Sequence, residues 1–218
     1  MAYRRTESVV RRLEAREHAI LAAATAMAGE AGMGAVQIAA VAERAGIAAG
    51  TVYRYFPSKS DLVGELVAAV AARELGAMRA AADAAPGPLS ALAAAIVTFA
   101  ARALTERQLA WAVIAEPVDA AVDALRLDFR RSLAGELASR IRAAVDGRHL
   151  PDQDAAVAAP AIVGAIMEGL LGPLAPKPGD AAARREAVQT VTLLALRALG
   201  VIDARARGLV AQCVLPLT

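Results

Sequence analysis

The chain has 218 residues, enough for one long domain or two short ones; 57% are hydrophobic types, yet only 3% are aromatic. Its 59 alanines favour an all-α fold, while one cysteine and two histidines exclude a disulfide framework and a Cys/His metal cluster, so no cofactor or metal is expected. The net charge of +2 is unevenly placed: residues 1–60 carry eight basic groups against five acidic ones, and the remainder sixteen against seventeen.

Helical periodicity runs nearly end to end, and no segment alternates like a strand. The spacing predicts a first helix over 6–30, stopped by Gly32 and Gly34. Arg4, Arg5, Arg11 and Arg12 at its start read equally as an arm along a polyanion or as a disordered tail. Two short helices follow over 36–45 and 48–55, separated by Gly46 and closed by Pro57. Ser58-Lys59-Ser60-Asp61 is a capping box that starts a long helix reaching residue 82.

Ala85-Pro86-Gly87-Pro88 breaks the chain before helices over 89–104 and 106–116, the second ended by Pro117. Asp119 caps a long helix to residue 145. The last pair covers 154–171 and 180–199, and the tail after Gly200 is expected to add a turn or two. Mean hydropathy is +0.44, but the longest uncharged run, 84–101, opens Ala-Ala-Pro-Gly-Pro. The other apolar stretch, 155–171, holds Pro160 and Glu168. A spanning helix needs roughly 20 consecutive apolar residues, so no membrane segment is expected. The N-terminus has Arg and Glu where a signal peptide needs an apolar stretch, which points to a cytoplasmic protein.

The informative stretch is Gln37 to Lys59, QIAAVAERAGIAAGTVYRYFPSK. Two short helices joined at one glycine suggest a helix-turn-helix: Val41, Ile47 and Val52 supply apolar contacts, and Ala42 is small where the helices cross. Gly46 sits where the turn needs a positive φ. The second helix then presents Ala48, Ala49, Thr51, Arg54 and Tyr55 outward, with Tyr53 near the rim. Such a helix fits a major groove, with hydroxyls and cations at its edge on phosphates. Lys59 joins a side-chain charge to the free N–H groups of a helix start.

At these residues the sequence resembles the TetR family of bacterial transcriptional regulators. The matching residues run from Ala19-Ile20-Leu21-Ala22-Ala23-Ala24 through Gly29-Glu30-Ala31-Gly32 to Ile38 and Val41-Ala42-Glu43-Arg44-Ala45-Gly46. They continue with Gly50-Thr51-Val52-Tyr53-Arg54-Tyr55-Phe56-Pro57-Ser58-Lys59 and Leu62, about the first quarter of the chain. The resemblance implies a homodimer with two DNA-binding domains on a roughly palindromic operator, and a C-terminal helical domain that binds a small effector and holds the dimer. The expected division is a helix-turn-helix domain over 1–57 and an effector-binding, dimerising bundle over 58–218. The family usually opens its second helix with Thr or Ser and its third with Ser; here Val36 and Gln37, and Ala48 and Ala49, stand there. The DNA contacts then rest on Gln37, Thr51, Tyr53, Tyr55 and Lys59, with Arg54 added and only methyl contacts from Ala48 and Ala49.

Beyond Asp61 no nucleophile–base pair or phosphate-binding loop stands out, so no enzyme is expected. The few large side chains, Met78, Phe99, Trp111, Phe129 and Met167, are the candidates to line an effector pocket. Arg102, Glu116 or Arg126 could orient a hydrophobic or amphipathic ligand. Ala161, Ala165 and Gly169, flanked by Ile162, Ile166 and Leu170, form a small-residue stripe for a partner helix. Val188, Val191, Thr192, Ala195 and Leu199 offer the same on the last long helix. The competing reading is a small-molecule sequestering protein with a vestigial head, supported only by Val36, Ala48 and Ala49.

Overall fold

The computed structural model describes residues 7–116, 120–213 and 215, and only the backbone of 7–9 and 121. Among the described residues every regular element is helical. Arg4, Arg5, Pro117 and Asp119, named above, and the predicted first residue of the first helix, residue 6, lie outside the described residues.

The head comprises α1 (Glu7–Ala31), a 3₁₀ turn (Met33–Ala35), α2 (Ile38–Arg44) and α3 (Ala49–Tyr55). Gly32 ends α1 with φ +82°. Gly46 ends α2 at φ +67°, with Ile47 N–H donating to the Ala42 carbonyl at 3.0 Å and Gly46 N–H to the Glu43 carbonyl at 3.1 Å. That crossed pair is a Schellman ending, which turns the chain sharply into α3. Val41 and Val52 are fully buried between the two helices, Ala42 nearly so, and Ile47 is half-buried against the same core. Neither short helix has a side-chain cap: Gln37 and Ala48 hold the N-cap positions with extended backbones and no capping bond.

The body comprises α4 (Lys59–Asp83), α5 (Pro88–Thr105), α6 (Arg107–Ile114), α7 (Ala120–Asp146), α8 (Ala155–Ile166), α9 (Ala181–Ala198) and α10 (Asp203–Gln212). Ser58 caps α4 as the sequence predicts, its Oγ accepting from Asp61 N–H at 3.1 Å. Asp154 and Asp180 cap α8 and α9 in the same way. A five-residue π turn, Met167–Leu171, prolongs α8 and closes with Gly172 N–H on the Met167 carbonyl at 2.8 Å. The tail is a correction to the expected turn or two: α10 is a ten-residue helix that buries Ala206 and Val210 against α9 and α5.

Helix α5 is the centre of the body, flanked by α4, α7 and α9. It is long and apolar enough to cross a membrane, yet 72% of it is buried within the protein, so its apolarity serves the core. One hydrophobic cluster runs from Ile20 in the head to Val210 in α10.

The proposed partner stripes need revision. Val188, Val191, Thr192, Ala195 and Leu199 are buried inside the protomer, because α9 packs that row onto α5. Thr192 satisfies its buried hydroxyl on the Val188 carbonyl at 2.7 Å. Ile162, Ile166 and Leu170 are likewise interior, whereas Ala161 and Gly169 are exposed and Ala165 is half-buried. The rows left open are Val157 and Ala161 on α8, and Thr190 and Leu194 on α9, with Leu194 55% exposed.

Candidate nucleic-acid interface and effector cavity

On the head, Tyr53 and Arg54 are exposed, Tyr53 being the one large apolar surface of α3 open to solvent. Thr51 and Lys59 are half-buried. Ala48 is exposed, but Ala49 and Tyr55, placed outward from the sequence, lean half-buried on the core, because a seven-residue helix turns each of these positions partly inward. Gln37 is exposed and donates its Nε2 to the Gly34 carbonyl at 2.9 Å, which ties it to its own turn.

One groove between α1 and α3 gathers Thr51, Arg54 and Tyr55 with Arg12, Arg16, Leu13 and Glu17. Three guanidinium groups thus converge where the sequence offered only Arg54 and an arm of uncertain role. Arg16 escapes the sequence reading because it lies mid-helix in a run of alternating charge, and only the fold places it in a groove with α3. Elsewhere on the head Arg44 meets Glu30 with two hydrogen bonds, joining α2 to the end of α1. The Arg44 hydrogen bonds hold the Glu30 carboxyl below the usual carboxylate range.

In the body, Phe99, Arg102 and Phe129 line one cavity together with Val70, Arg73, Glu74, Glu106, Leu109, Val113 and Ile114. Its free space is about 20 Å³, room for about one water. Arg102 meets Glu74 through Nε at 2.6 Å and Nη2 at 3.0 Å. Arg73 donates to Glu74 at 2.7 Å and to Glu106 at 2.6 Å. Hydrogen bonding to Glu74 raises the Arg102 guanidinium; burial works against the Arg73 charge, and its bonds to Glu106 and Glu74 outweigh it.

The remaining pocket candidates lie elsewhere. Met78 and Met167 are core. Trp111 faces an outer groove with Arg107, Gln108 and Lys177. Arg126 is buried and donates to the Ala112 carbonyl, pinning the end of α6 to α7.

Glu116 has a different role from the ligand-orienting one expected: it crosses into the head. Its carboxylate accepts from Met33 N–H at 2.9 Å and, at the edge of bonding range, from Gly34 N–H at 3.4 Å. A Cβ at Gly32 would stand 2.9 Å and 3.1 Å from the two Glu116 oxygens. A methyl there would crowd that carboxylate against the turn, and the positive φ already favours glycine.

Residues 20–66 match the family model for bacterial regulatory proteins of the tetR family. The head is a TetR-family domain. The repressor KstR of Rhodococcus jostii is 56% identical to this chain over 48 residues, 22% of this chain and 23% of that protein. KstR of Mycobacterium tuberculosis is 54% identical over 48 residues, 22% of each chain. The match therefore spans less than a quarter of these repressors. Among solved structures, FadR from Bacillus subtilis in complex with stearoyl-CoA has a TM-score of 0.72 at 19% identity, covering 85% of this chain and 98% of that one. RolR in complex with resorcinol has a TM-score of 0.67 at 18% identity, covering 96% and 100%. At such identities these likenesses speak for the fold alone: a helix-turn-helix head on a helical body.

Proposed function

We propose that the chain is a cytoplasmic transcriptional repressor that binds a roughly palindromic operator as a homodimer and is released by a small effector. The observation that carries the reading is the Schellman-turned helix pair, which brings Thr51, Arg54 and Tyr55 into one groove with Arg12 and Arg16 on a TetR-family head and leaves Tyr53 exposed on the same helix. Helix α3 would enter the major groove, the guanidinium groups would take phosphates, and Tyr53 and Lys59 would set register. Two such heads would sit about 34 Å or a multiple of it apart.

The partner would dock on the open rows of α8 and α9, around Val157, Ala161, Thr190 and Leu194, in a four-helix seam. The division at residues 57 and 58 is a functional one, since a single core runs through both parts. An effector in the cavity would press on α6, whose inner face supplies Leu109, Val113 and Ile114, and whose end carries Glu116 into the head. By linkage, an effector that weakens DNA binding must itself bind the DNA-bound form more weakly.

The test is a pair of substitutions, Tyr53→Ala and Lys59→Ala, read by operator affinity, circular dichroism and sedimentation. The repressor reading expects affinity to fall with fold and dimer intact. Unchanged affinity for DNA would contradict it and favour the sequestering protein.

A further inference from the structure

We propose that the effector is a neutral, hydroxyl-bearing, otherwise apolar small molecule whose hydroxyl lies beside the Glu74–Arg102 ion pair and bonds to both partners. This rests on the cavity being the effector site and adds the class of ligand that it takes. The argument is one of charge. Arg73 and Arg102 face Glu74 and Glu106, two cations against two carboxylates, already joined by short hydrogen bonds. Glu74 is only 8% exposed. A carboxylate ligand would place a third anion beside Glu74 and Glu106, and an ammonium would place a third cation beside Arg73 and Arg102. Either leaves an uncompensated charge beside Glu74, which is nearly buried although Arg73 and Glu106 reach solvent.

A neutral hydroxyl preserves the balance and can serve both partners. A carboxylate has about four acceptor positions, and Glu74 receives three N–H groups, so one position remains for a ligand O–H. The hydroxyl oxygen in turn accepts from the guanidinium of Arg102. The rest of the lining, Val70, Phe99, Leu109, Val113, Ile114 and Phe129, is apolar, with a ring on α5 and another on α7. The Glu74–Arg102 pair is part-buried and faces the cavity, and a desolvated ion pair stabilises a fold little more than apolar packing of the same volume would.

Size adds the consequence. Free space for about one water cannot hold a ring, so entry must displace a wall. Helix α6 is the shortest helix of the body and carries Trp111, the only tryptophan of the chain, on its outer side.

The experiment titrates the full-length chain, without DNA, with four probes that share one ring: phenol, toluene, benzoate and benzylamine. Calorimetry gives the affinities, and thermal shift gives an independent ranking. We expect phenol to bind roughly tenfold to a hundredfold more tightly than the other three, the gain from one hydroxyl hydrogen-bonded to charged groups. Glu74→Gln should abolish the preference for phenol over toluene. Because that variant leaves Arg102 with a weaker partner, the double variant Glu74→Leu/Arg102→Leu is measured beside it; it should fold and bind phenol and toluene alike. Benzoate or benzylamine binding as tightly as phenol would overturn the proposal. So would a double variant that keeps the preference, or wild-type protein with no saturable affinity for phenol. With DNA absent, the ligand class stands or falls apart from the repressor reading, which a promoter titration decides by itself.

Discussion

Replacing Gly32 with alanine tests the joint between head and body. Gly32 has φ +82° and ψ 176°, a region that is essentially glycine's own, and holding an alanine there costs about 1–3 kcal/mol. The new methyl would also stand 2.9 Å from one Glu116 oxygen, so the carboxylate must withdraw from the Met33 and Gly34 amides. Losing a hydrogen bond to a charged group costs about 1.5–3 kcal/mol, which brings the total to about 2.5–6 kcal/mol. For a chain of this length each kcal/mol lowers the melting temperature by about 2–4 °C, so a fall of about 10 °C is expected by calorimetry. The two groups touch, so their effects must couple: in a Glu116→Ala background, Gly32→Ala should cost measurably less than in the wild type. A melting temperature within a degree of wild type would refute the reasoning. Strict additivity of the two substitutions would refute the contact.

Three further outcomes are expected. Arg16→Ala and Arg54→Ala should each weaken binding to all DNA sequences alike and reduce the salt dependence of log K by about one per protomer; an unchanged slope would remove that arginine from the phosphate contacts. Leu194→Glu, on the open row of α9, should yield a folded monomer by sedimentation equilibrium, and a persistent dimer would place the seam elsewhere. Burial pushes the Cys213 thiol above its ordinary range, so it should react with thiol reagents at pH 8 more slowly than free cysteine, and at the free rate once unfolded.

Much of the fold was legible because its boundaries are chemical. Ser58, Asp154, Asp180 and Gly46 act as caps and stops through their own side chains or backbone freedom, and the helix limits they mark lie within two residues of those predicted. Which face of a helix points inward was harder to read. In α9, alanines stand on both sides, and Val188 and Leu194 are equally apolar, so periodicity alone could not say which row α5 would take. The same ambiguity hid α10, whose arginine-rich exposed face reads as a polar tail. Glu116 could not be placed at all from the sequence, since its partners lie 82 and 83 positions away along the chain and are backbone amides, which leave no mark in residue types. The cavity was half-visible: Phe99, Arg102 and Phe129 were scarce large side chains, whereas Glu74 sat unremarked among the surface charges of α4.

The central claim is sequence-specific DNA binding by the α3 face. Fluorescence anisotropy with the DNA upstream of the protein's own gene, against a scrambled duplex and over a range of salt, tests it most directly. The account predicts tight binding that prefers the native sequence and falls steeply with salt, as several phosphate contacts per dimer require. Equal, weak binding to both duplexes, repeated in a selection from random genomic fragments, would contradict it.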